Sequence, residues 1–286
     1  MAAMRIVALA LLLAASPVAA EPAIWVVRDA DTEITLFGTL HELPTGIDWL
    51  TPRIAARVDA ADTLVLETVI PEDRDAIGTL VTTLGYSPKL PPLAKRIAPR
   101  LQAPLAAVLR DTRLQPAALD GMETWLAAVT LGDAVLAKLG LDETNGVEAV
   151  LTARVRAARK PVTGLETPAE QLGYFDTLPE TDQRALLDAT VADTATAAAD
   201  TNRLIASWTS GNTQVIADGF RDSLRATPRL AQVLLVDRNA RWATWIAARL
   251  AQPGKVFVAV GAAHLAGTDS VQAKLAAQGI TAERLR

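Results

Sequence analysis

Apolar segments at both ends of the chain have the spacing of β-strands. Residues 24–28 and 33–37 predict a hairpin, because the turn residues Asp29-Ala30-Asp31 separate them and the second segment alternates. Short apolar runs bounded by turn residues predict further strands at 63–67, 161–166, 255–260 and 280–285. Most of these strands lie near the two ends of the chain, so we expect the ends to meet in one sheet.

Helical spacing dominates the middle of the chain. Helices are predicted at 49–60, 124–139, 147–160 and 270–278, and almost throughout 180–250. Between 71 and 120, repeated prolines divide the helical pattern into short pieces. The sequence therefore predicts an α/β fold. A mixed sheet formed by the N- and C-terminal segments would carry a long helical insertion at about 71–250.

The first twenty residues have the pattern of a secretory signal peptide. Arg5 precedes an almost purely apolar run at 6–15, and small residues lead to a cleavage site after Ala20. The apolar run is short for a bilayer span, although an uncleaved anchor is the alternative. We therefore expect a single mature domain at 21–286, periplasmic or secreted, with no stable membrane span after cleavage.

Composition narrows the classes of partner. The chain has 286 residues, a formal net charge of -4 and scattered lysines and arginines, so nothing points to nucleic acid. It contains no cysteine, which excludes disulfides. Any metal site must therefore use histidines and carboxylates as ligands.

Four polar residues lie at or just beyond the ends of predicted strands: His41, Glu67, Glu166 and His264. The histidines are the only two in the chain, and each ends a Gly-x-x-His turn after an apolar strand. Ligands of open α/β sheets bind beyond the carboxyl ends of the strands, so parallel neighbours would bring these side chains together. Imidazole with carboxylate suits Zn, Mn or Fe better than Ca or Mg, and a spare Glu can serve as general base.

Each of these residues also has a structural interpretation. A histidine after a strand is often a hydrogen-bonding group, and Glu67 is able to cap the following turn. Glu166 precedes Thr167-Pro168, where a helix N-terminus favours a carboxylate. Glu148 either caps a helix or faces the site. Arg238 lies either on a solvated face or near an anionic substrate or a carboxylate that it orients.

Several motifs together resemble those of the TraB/GumN family, which includes the Tiki proteases and the pheromone-shutdown proteins. The resemblance covers about residues 23 to 286, and the paired Gly-x-x-His turns are its most specific part. The segments that carry it are Phe37-Gly38-Thr39-Leu40-His41, Leu64-Val65-Leu66-Glu67, Gly146-Val147-Glu148, Lys160-Pro161-Val162 through Leu165-Glu166-Thr167 with Glu170-Gln171, Arg238-Asn239 with Trp242, and Val260-Gly261-Ala262-Ala263-His264-Leu265 with Gly267.

The resemblance implies an α/β fold similar to those of the erythromycin-esterase and ChaN-like proteins. It also implies a metal-dependent hydrolase site, since Tiki members act as divalent-metal proteases. The positions that match the family motifs are His41, Glu67 and His264, with Arg238 as an accessory residue.

Three hypotheses follow from the residues and the resemblance. The first is an exported hydrolase, a peptidase in its most specific form, that binds Mn, Co or Zn and acts on a peptide or small molecule. In it, His41 and His264 bind the ion or polarise the substrate, and Glu67 is a ligand or the general base. The second is a non-catalytic protein of the same fold that sequesters a peptide or a haem-like ligand. The third assigns the two histidines a structural role only, and it predicts that they lie far apart.

Overall fold

The computed structural model describes residues 20–71 and 73–285. Apart from Ala20, the predicted signal peptide lies outside these residues, so it stays a prediction. Within the described part of the chain, no helix is long and apolar enough to cross a membrane.

A six-stranded sheet forms the centre of the fold, in the order β4-β3-β5-β2-β1-β6. Strands β4, β3, β5 and β2 run parallel, whereas β1 is antiparallel to both of its neighbours, β2 and β6. The strands are β1 (Ile24–Arg28), β2 (Thr32–Thr39), β3 (Thr63–Thr68), β4 (Val162–Glu166), β5 (Gly254–Gly261) and β6 (Glu283–Leu285). The predicted mixed sheet is confirmed, and its final strand begins three residues later than the apolar pattern predicts.

The helices that cover the sheet come mostly from the predicted insertion. They are α1 (Pro52–Ala60), α2 (Arg74–Gly85), α3 (Gln102–Thr112), α4 (Pro116–Asp120), α5 (Thr124–Lys138), α6 (Val147–Ala157), α7 (Pro168–Asp176), α8 (Glu180–Asp193), α9 (Ala197–Thr209), α10 (Thr213–Ser223), α11 (Pro228–Ala231), α12 (Asp237–Arg249) and α13 (Val271–Ala276). A π-helical turn, Gln232–Val236, joins α11 to α12. Thus the segment predicted as helical at 180–250 consists of separate helices with short turns between them.

Alternation along the strands buries both faces of the sheet. On β5, Val256 and Val258 pack on one face against α12 and α13, while Phe257 and Ala259 pack on the other with residues of α1 and α6. This two-sided burial is typical of parallel strands with helices on each face.

A third apolar cluster lies within the insertion. It is formed mainly by α3, α5 and α8, and Leu105, Leu131 and Leu187 are among its buried members. The insertion therefore has a core of its own, although β4 returns from it to the edge of the sheet. Because of that return, β4 pairs with β3 along the sheet edge, and the start of α6 lies beside the C-terminal end of β2.

Candidate functional site

The four polar residues at predicted strand ends converge at one edge of the sheet. β2 and β5 are paired in parallel from Thr32 opposite Gly254 to Thr39 opposite Gly261. The two Gly-x-x-His turns therefore leave adjacent strands at the same level. β3 and β4 end at this edge as well, and they bring Glu67 and Glu166 to it.

Glycine at each turn allows the chains to approach closely. A Cβ added to Gly38 would lie 3.0 Å from the Ala262 Cα atom. A Cβ added to Gly261 would lie 3.1 Å from Glu67 Oε1 and 3.7 Å from His41 Nε2. The absence of a side chain at Gly261 leaves the space toward which the carboxylate and the imidazole of His41 face.

His264 is buried and tightly held. Its Nδ1 lies 2.6 Å from Asn239 Oδ1, and its ring packs on Trp242 with centroids 4.4 Å apart. The Asn239 amide donates through Nδ2 to the Asp269 carbonyl oxygen at 2.8 Å, which leaves Oδ1 to accept from the imidazole. His264 therefore carries its proton on Nδ1, and the lone pair of Nε2 accepts a 3.3 Å hydrogen bond from Arg238 Nη1.

Burial makes protonation of His264 unfavourable. Desolvation, together with the nearby positive charge of Arg238, outweighs the opposing charge of Glu67 and lowers the pKa of His264 to about 4. The imidazole is therefore neutral at neutral pH.

Glu67 is the carboxylate at the centre of the site. Its Oε1 accepts from the Gly261 N–H at 2.7 Å, and its Oε2 accepts from Arg238 Nη2 at 2.5 Å and from Gln171 Nε2 at 3.3 Å. Burial alone would raise the pKa of Glu67. At the acid pH where Glu67 titrates, however, the positive charges of His264, which is then protonated, of Arg238 and of His41 outweigh burial and lower the pKa to about 2. Glu67 is ionised and is a weak base.

Arg238 joins Glu67 to Glu166. Its Nε lies 3.0 Å from both Glu166 oxygens, and its guanidinium lies 4.6 Å from the centre of the Trp242 ring. Glu166 Oε1 also accepts from the Tyr174 hydroxyl at 3.0 Å. Of the two sequence interpretations of Arg238, the one in which it orients a carboxylate fits these contacts, because the side chain is buried.

Glu166 does not cap the helix that follows it. Thr167 and Glu170 form the capping box of α7, in which Thr167 Oγ1 accepts from the Glu170 N–H at 3.2 Å. Glu166 is thereby left to face Arg238 and Trp242 Nε1, the latter at 3.2 Å.

His41 lies in a different environment from His264. Its Nδ1 is 2.7 Å from Glu148 Oε1, which also accepts from Thr39 Oγ1 at 2.5 Å. The His41 side chain is 68% exposed and lines a cavity. Partial desolvation lowers the pKa of His41, but the hydrogen bond and the charge of Glu148, with a further contribution from Glu67, raise the pKa to about 9.

The start of α6 packs directly on the first histidine turn. The Val147 N–H donates to the Leu40 carbonyl oxygen at 3.1 Å, and a Cβ at Gly146 would lie 1.9 Å from the His41 carbonyl oxygen. Glycine is therefore required at this position, and it brings Glu148, in the first turn of α6, onto the imidazole.

The histidines face a cavity of about 950 Å³, within the size range of pockets for small molecules and short peptide segments. Apolar side chains such as Leu136, Phe175 and Phe220 contribute to its walls. Glu42 and Asp133 line it as well, and the part of the chain that the structure describes gives neither of them a basic ion-pair partner.

A shared ion fits part of this donor set. Glu67 Oε1 lies 3.6 Å from His264 Nε2, close to the separation of about 3.3–3.6 Å between two ligands of one tetrahedral zinc. His41 Nε2 faces Gly261 beside them. Across 20–71 and 73–285, no three His, Asp or Glu side chains already surround one ion-sized point. The donors therefore match in kind, and His264 and Glu67 match in spacing.

Sequence reasoning did not assign roles to Asn239, Thr39 or Gly146. Asn239 directly follows Arg238, so helical geometry places the two side chains about 100° apart, and this signal is too general to identify an imidazole partner. Gly146 precedes Glu148 by two residues, but its contact with the His41 backbone depends on tertiary structure.

Comparison with known proteins places these residues in a family. The model of the TraB/PrgY/gumN family matches residues 23–284. Proteins called "Uncharacterized protein YbaP", from Escherichia coli strain K12 and from Shigella flexneri, are each 26% identical over 254 residues. Those alignments cover 87% of this chain and 90% of each relative. No solved structure matches. The chain belongs to the TraB/PrgY/gumN family.

Proposed function

We propose that the chain is an exported metal-dependent hydrolase that cleaves a peptide or small molecule held in the cavity. The observation that supports this proposal most is the convergence of both imidazoles on one carboxylate oxygen. Glu67 Oε1 and His41 Nε2 lie beside Gly261, and His264 Nε2 lies 3.6 Å from that Glu67 oxygen. Both histidines are anchored through Nδ1, as is typical of metal-binding histidines whose second nitrogen is held by the protein.

His41, His264 and Glu67 would hold the ion, for which Mn, Co and Zn are the candidates. When bound, such an ion polarises a substrate carbonyl and lowers the pKa of water toward neutrality. Glu67 suits the role of ligand better than that of general base, because its pKa is about 2. Arg238 holds the second oxygen of Glu67 and so fixes the orientation of the carboxylate.

Two features of the protein set conditions on this binding. His41 must lose its Nε2 proton, so metal affinity should rise with pH. For His264 Nε2 to act as a ligand, it would also have to give up the 3.3 Å hydrogen bond that it accepts from Arg238 Nη1. Arg238 Nη1 retains its contact with the Leu234 carbonyl oxygen at 3.2 Å, so the guanidinium stays satisfied after that change.

The test measures bound metal and hydrolysis of a peptide library by the purified chain beginning at Glu21, with Mn, Co or Zn added. We expect one ion per chain, and we expect His41→Ala and His264→Ala to lose both uptake and turnover. Glu67→Gln should behave in the same way, whereas Glu283→Gln, on the exposed β6 edge, is the matched control. Absence of uptake, with unchanged behaviour of the histidine variants, would overturn the proposal.

The same preparation separates the hydrolase from a binding protein of the same fold. A peptide or a haem-like absorbance band that copurifies, disappears in the histidine variants and is never turned over would indicate sequestration. Export has its own readout, since N-terminal sequencing of the protein recovered from cells should begin at Glu21.

A further inference from the structure

We infer that Glu148 and Asn239 are a matched pair of positioning residues, each of which accepts a hydrogen bond from Nδ1–H of one histidine and thereby leaves Nε2 facing the site. We infer further that the anionic partner makes His41 the stronger electron donor of the two. The expected effect of Glu148 on metal affinity and turnover rests on the proposed function, whereas the tautomers of the two histidines are a property of the metal-free protein.

The direction of the hydrogen bond at His264 follows from the Asn239 amide. Asn239 is fully buried, and its Nδ2 donates to the Asp269 carbonyl oxygen, which accepts only. The amide oxygen therefore faces His264 Nδ1 at 2.6 Å, and Nδ1 must be the donor. Trp242 packs on the ring and prevents it from turning away from this partner.

The direction at His41 follows from the carboxylate. A carboxylate oxygen accepts, so the 2.7 Å contact between His41 Nδ1 and Glu148 Oε1 places a proton on His41 Nδ1. Thr39 donates to the same oxygen, and Glu148 Oε2 is buried with no hydrogen-bond partner among the residues that the structure describes. Both contacts therefore act through Oε1, the atom that holds the imidazole.

The carboxylate is held in place by the backbone as well. Gly146 allows the start of α6 to touch the His41 carbonyl, and the Val147 N–H bonds to the Leu40 carbonyl. Glu148 thus reaches the imidazole from a helix fixed to the turn that carries it. This construction is typical of a residue that orients another.

The two partners differ in charge, and that difference has a chemical consequence. A carboxylate that accepts the Nδ1 proton increases the electron density at Nε2, whereas a neutral amide does so much less. The two turns therefore present nitrogens of unequal donor strength, although their local sequences are alike.

Histidine ¹⁵N NMR on the metal-free protein tests the tautomers directly, because the chain contains only two imidazoles. The spectrum is recorded at about pH 10, above the His41 pKa of about 9, where both rings are neutral. We expect Nδ1–H on both rings in the unmodified protein. Glu148→Ala should move His41 alone toward the Nε2–H form that free imidazole prefers, and Asn239→Ala should move His264 alone.

Glu42→Gln is the matched control for Glu148→Ala. It removes a neighbouring negative charge that acts on His41, without removing the Nδ1 acceptor, so the tautomer should not change. If His41 keeps Nδ1–H in folded Glu148→Ala, the inference is overturned. Should Asn239→Ala fail to fold, the spectrum of the unmodified protein still tests the Asn239 half, because an Nε2–H form of His264 there would overturn it.

Measurements of metal affinity test the difference in donor strength between the two histidines. Glu148→Gln keeps an oxygen acceptor but loses the charge, and we expect about a 10-fold weaker affinity for Zn, with kcat reduced and KM unchanged. An equal Zn affinity in Glu148→Gln would overturn the claim about His41. If the unmodified chain binds no metal, the proposed function fails, while the tautomer result still decides whether Glu148 and Asn239 position the rings.

Discussion

The two Gly-x-x-His turns leave the sheet side by side and yet place their histidines in opposite environments. His264 is 5% exposed, packs against an indole and pairs with a neutral amide. The His41 side chain is 68% exposed in the cavity and pairs with a carboxylate. As a result, the pKa of one ring falls to about 4 while that of the other rises to about 9.

The difference arises from what packs against each turn. The turn after β5 continues as a 3-10 helix, Ala262–Leu265, and packs against α12 and α13. The turn after β2 continues into a loop and is contacted by the start of α6. The shared motif therefore determines where each histidine leaves the sheet, whereas the helices that pack against each turn determine the charge state of the imidazole.

The two regions of the chain also contribute different groups. The sheet strands and their turns supply both histidines and Glu67. The insertion supplies most of the groups that hold them, namely Glu148 from α6, Glu166 from β4, and Arg238 and Asn239 from α12. We therefore expect substitutions in the insertion to change the stability of the protein and the orientation of the two histidines and Glu67, although the insertion residues lie far from them in sequence.

Arg238→Met should have the largest effect on stability. It leaves Glu67 and Glu166 buried next to each other without their cation, so we expect the free energy of unfolding to fall by about 3–5 kcal/mol in urea denaturation. Arg154→Met is the control. Its ion pair with Asp59 is exposed, so the loss should stay below about 1 kcal/mol. Equal losses in the two variants would contradict the importance of the Glu67–Arg238–Glu166 network.

The histidine variants test the comparison between the two turns. His264→Ala opens a cavity beside Trp242 and leaves Asn239 Oδ1 without a donor. The free energy of unfolding should therefore fall by about 2–4 kcal/mol. His41→Ala removes an exposed side chain and an ion pair open to solvent, so the loss should stay below about 1 kcal/mol. Urea denaturation of both variants at neutral pH measures the difference. Similar losses would show that the two turns are equivalent.

Much of the sheet was predictable from the sequence. Alternation and apolar runs located its six strands, and the common carboxyl edge of the parallel strands predicted that His41, Glu67 and His264 would lie close together. These inferences succeed because strand periodicity and the direction of parallel strands are local or topological properties.

The electrostatics of the site was not predictable in the same way. Identical Gly-x-x-His spacing says nothing about burial, and burial determines the opposite pKa shifts of the two rings. The role of Glu148 remained open because its contact with His41 joins residues more than a hundred positions apart. Glu166 precedes a helix, and only the capping box of Thr167 and Glu170 explains why it faces Arg238 instead.

The dependence of stability on pH is the mildest test of the comparison, and it has a different sign for each histidine. His264 titrates at about 4 in the folded protein and at 6.5 when unfolded, so the unfolded chain binds more protons between these values. The free energy of unfolding should therefore fall as the pH drops from 6.5 toward 4, and ionised Glu67 adds a further loss from 4.5 toward 2.

His41 has the opposite sign, because its folded pKa of about 9 lies above the unfolded value of 6.5. Its contribution is complete below 6.5 and is lost as the pH rises through 9, and we expect this contribution to be small because the ring is exposed to solvent. Urea denaturation of metal-free protein across this range should show both declines. His264→Ala should flatten the decline in the free energy of unfolding between pH 6.5 and 4. His41→Ala should flatten the decline that occurs as the pH rises through 9. If either variant flattens the opposite decline, the charge assignments of the two turns must be exchanged.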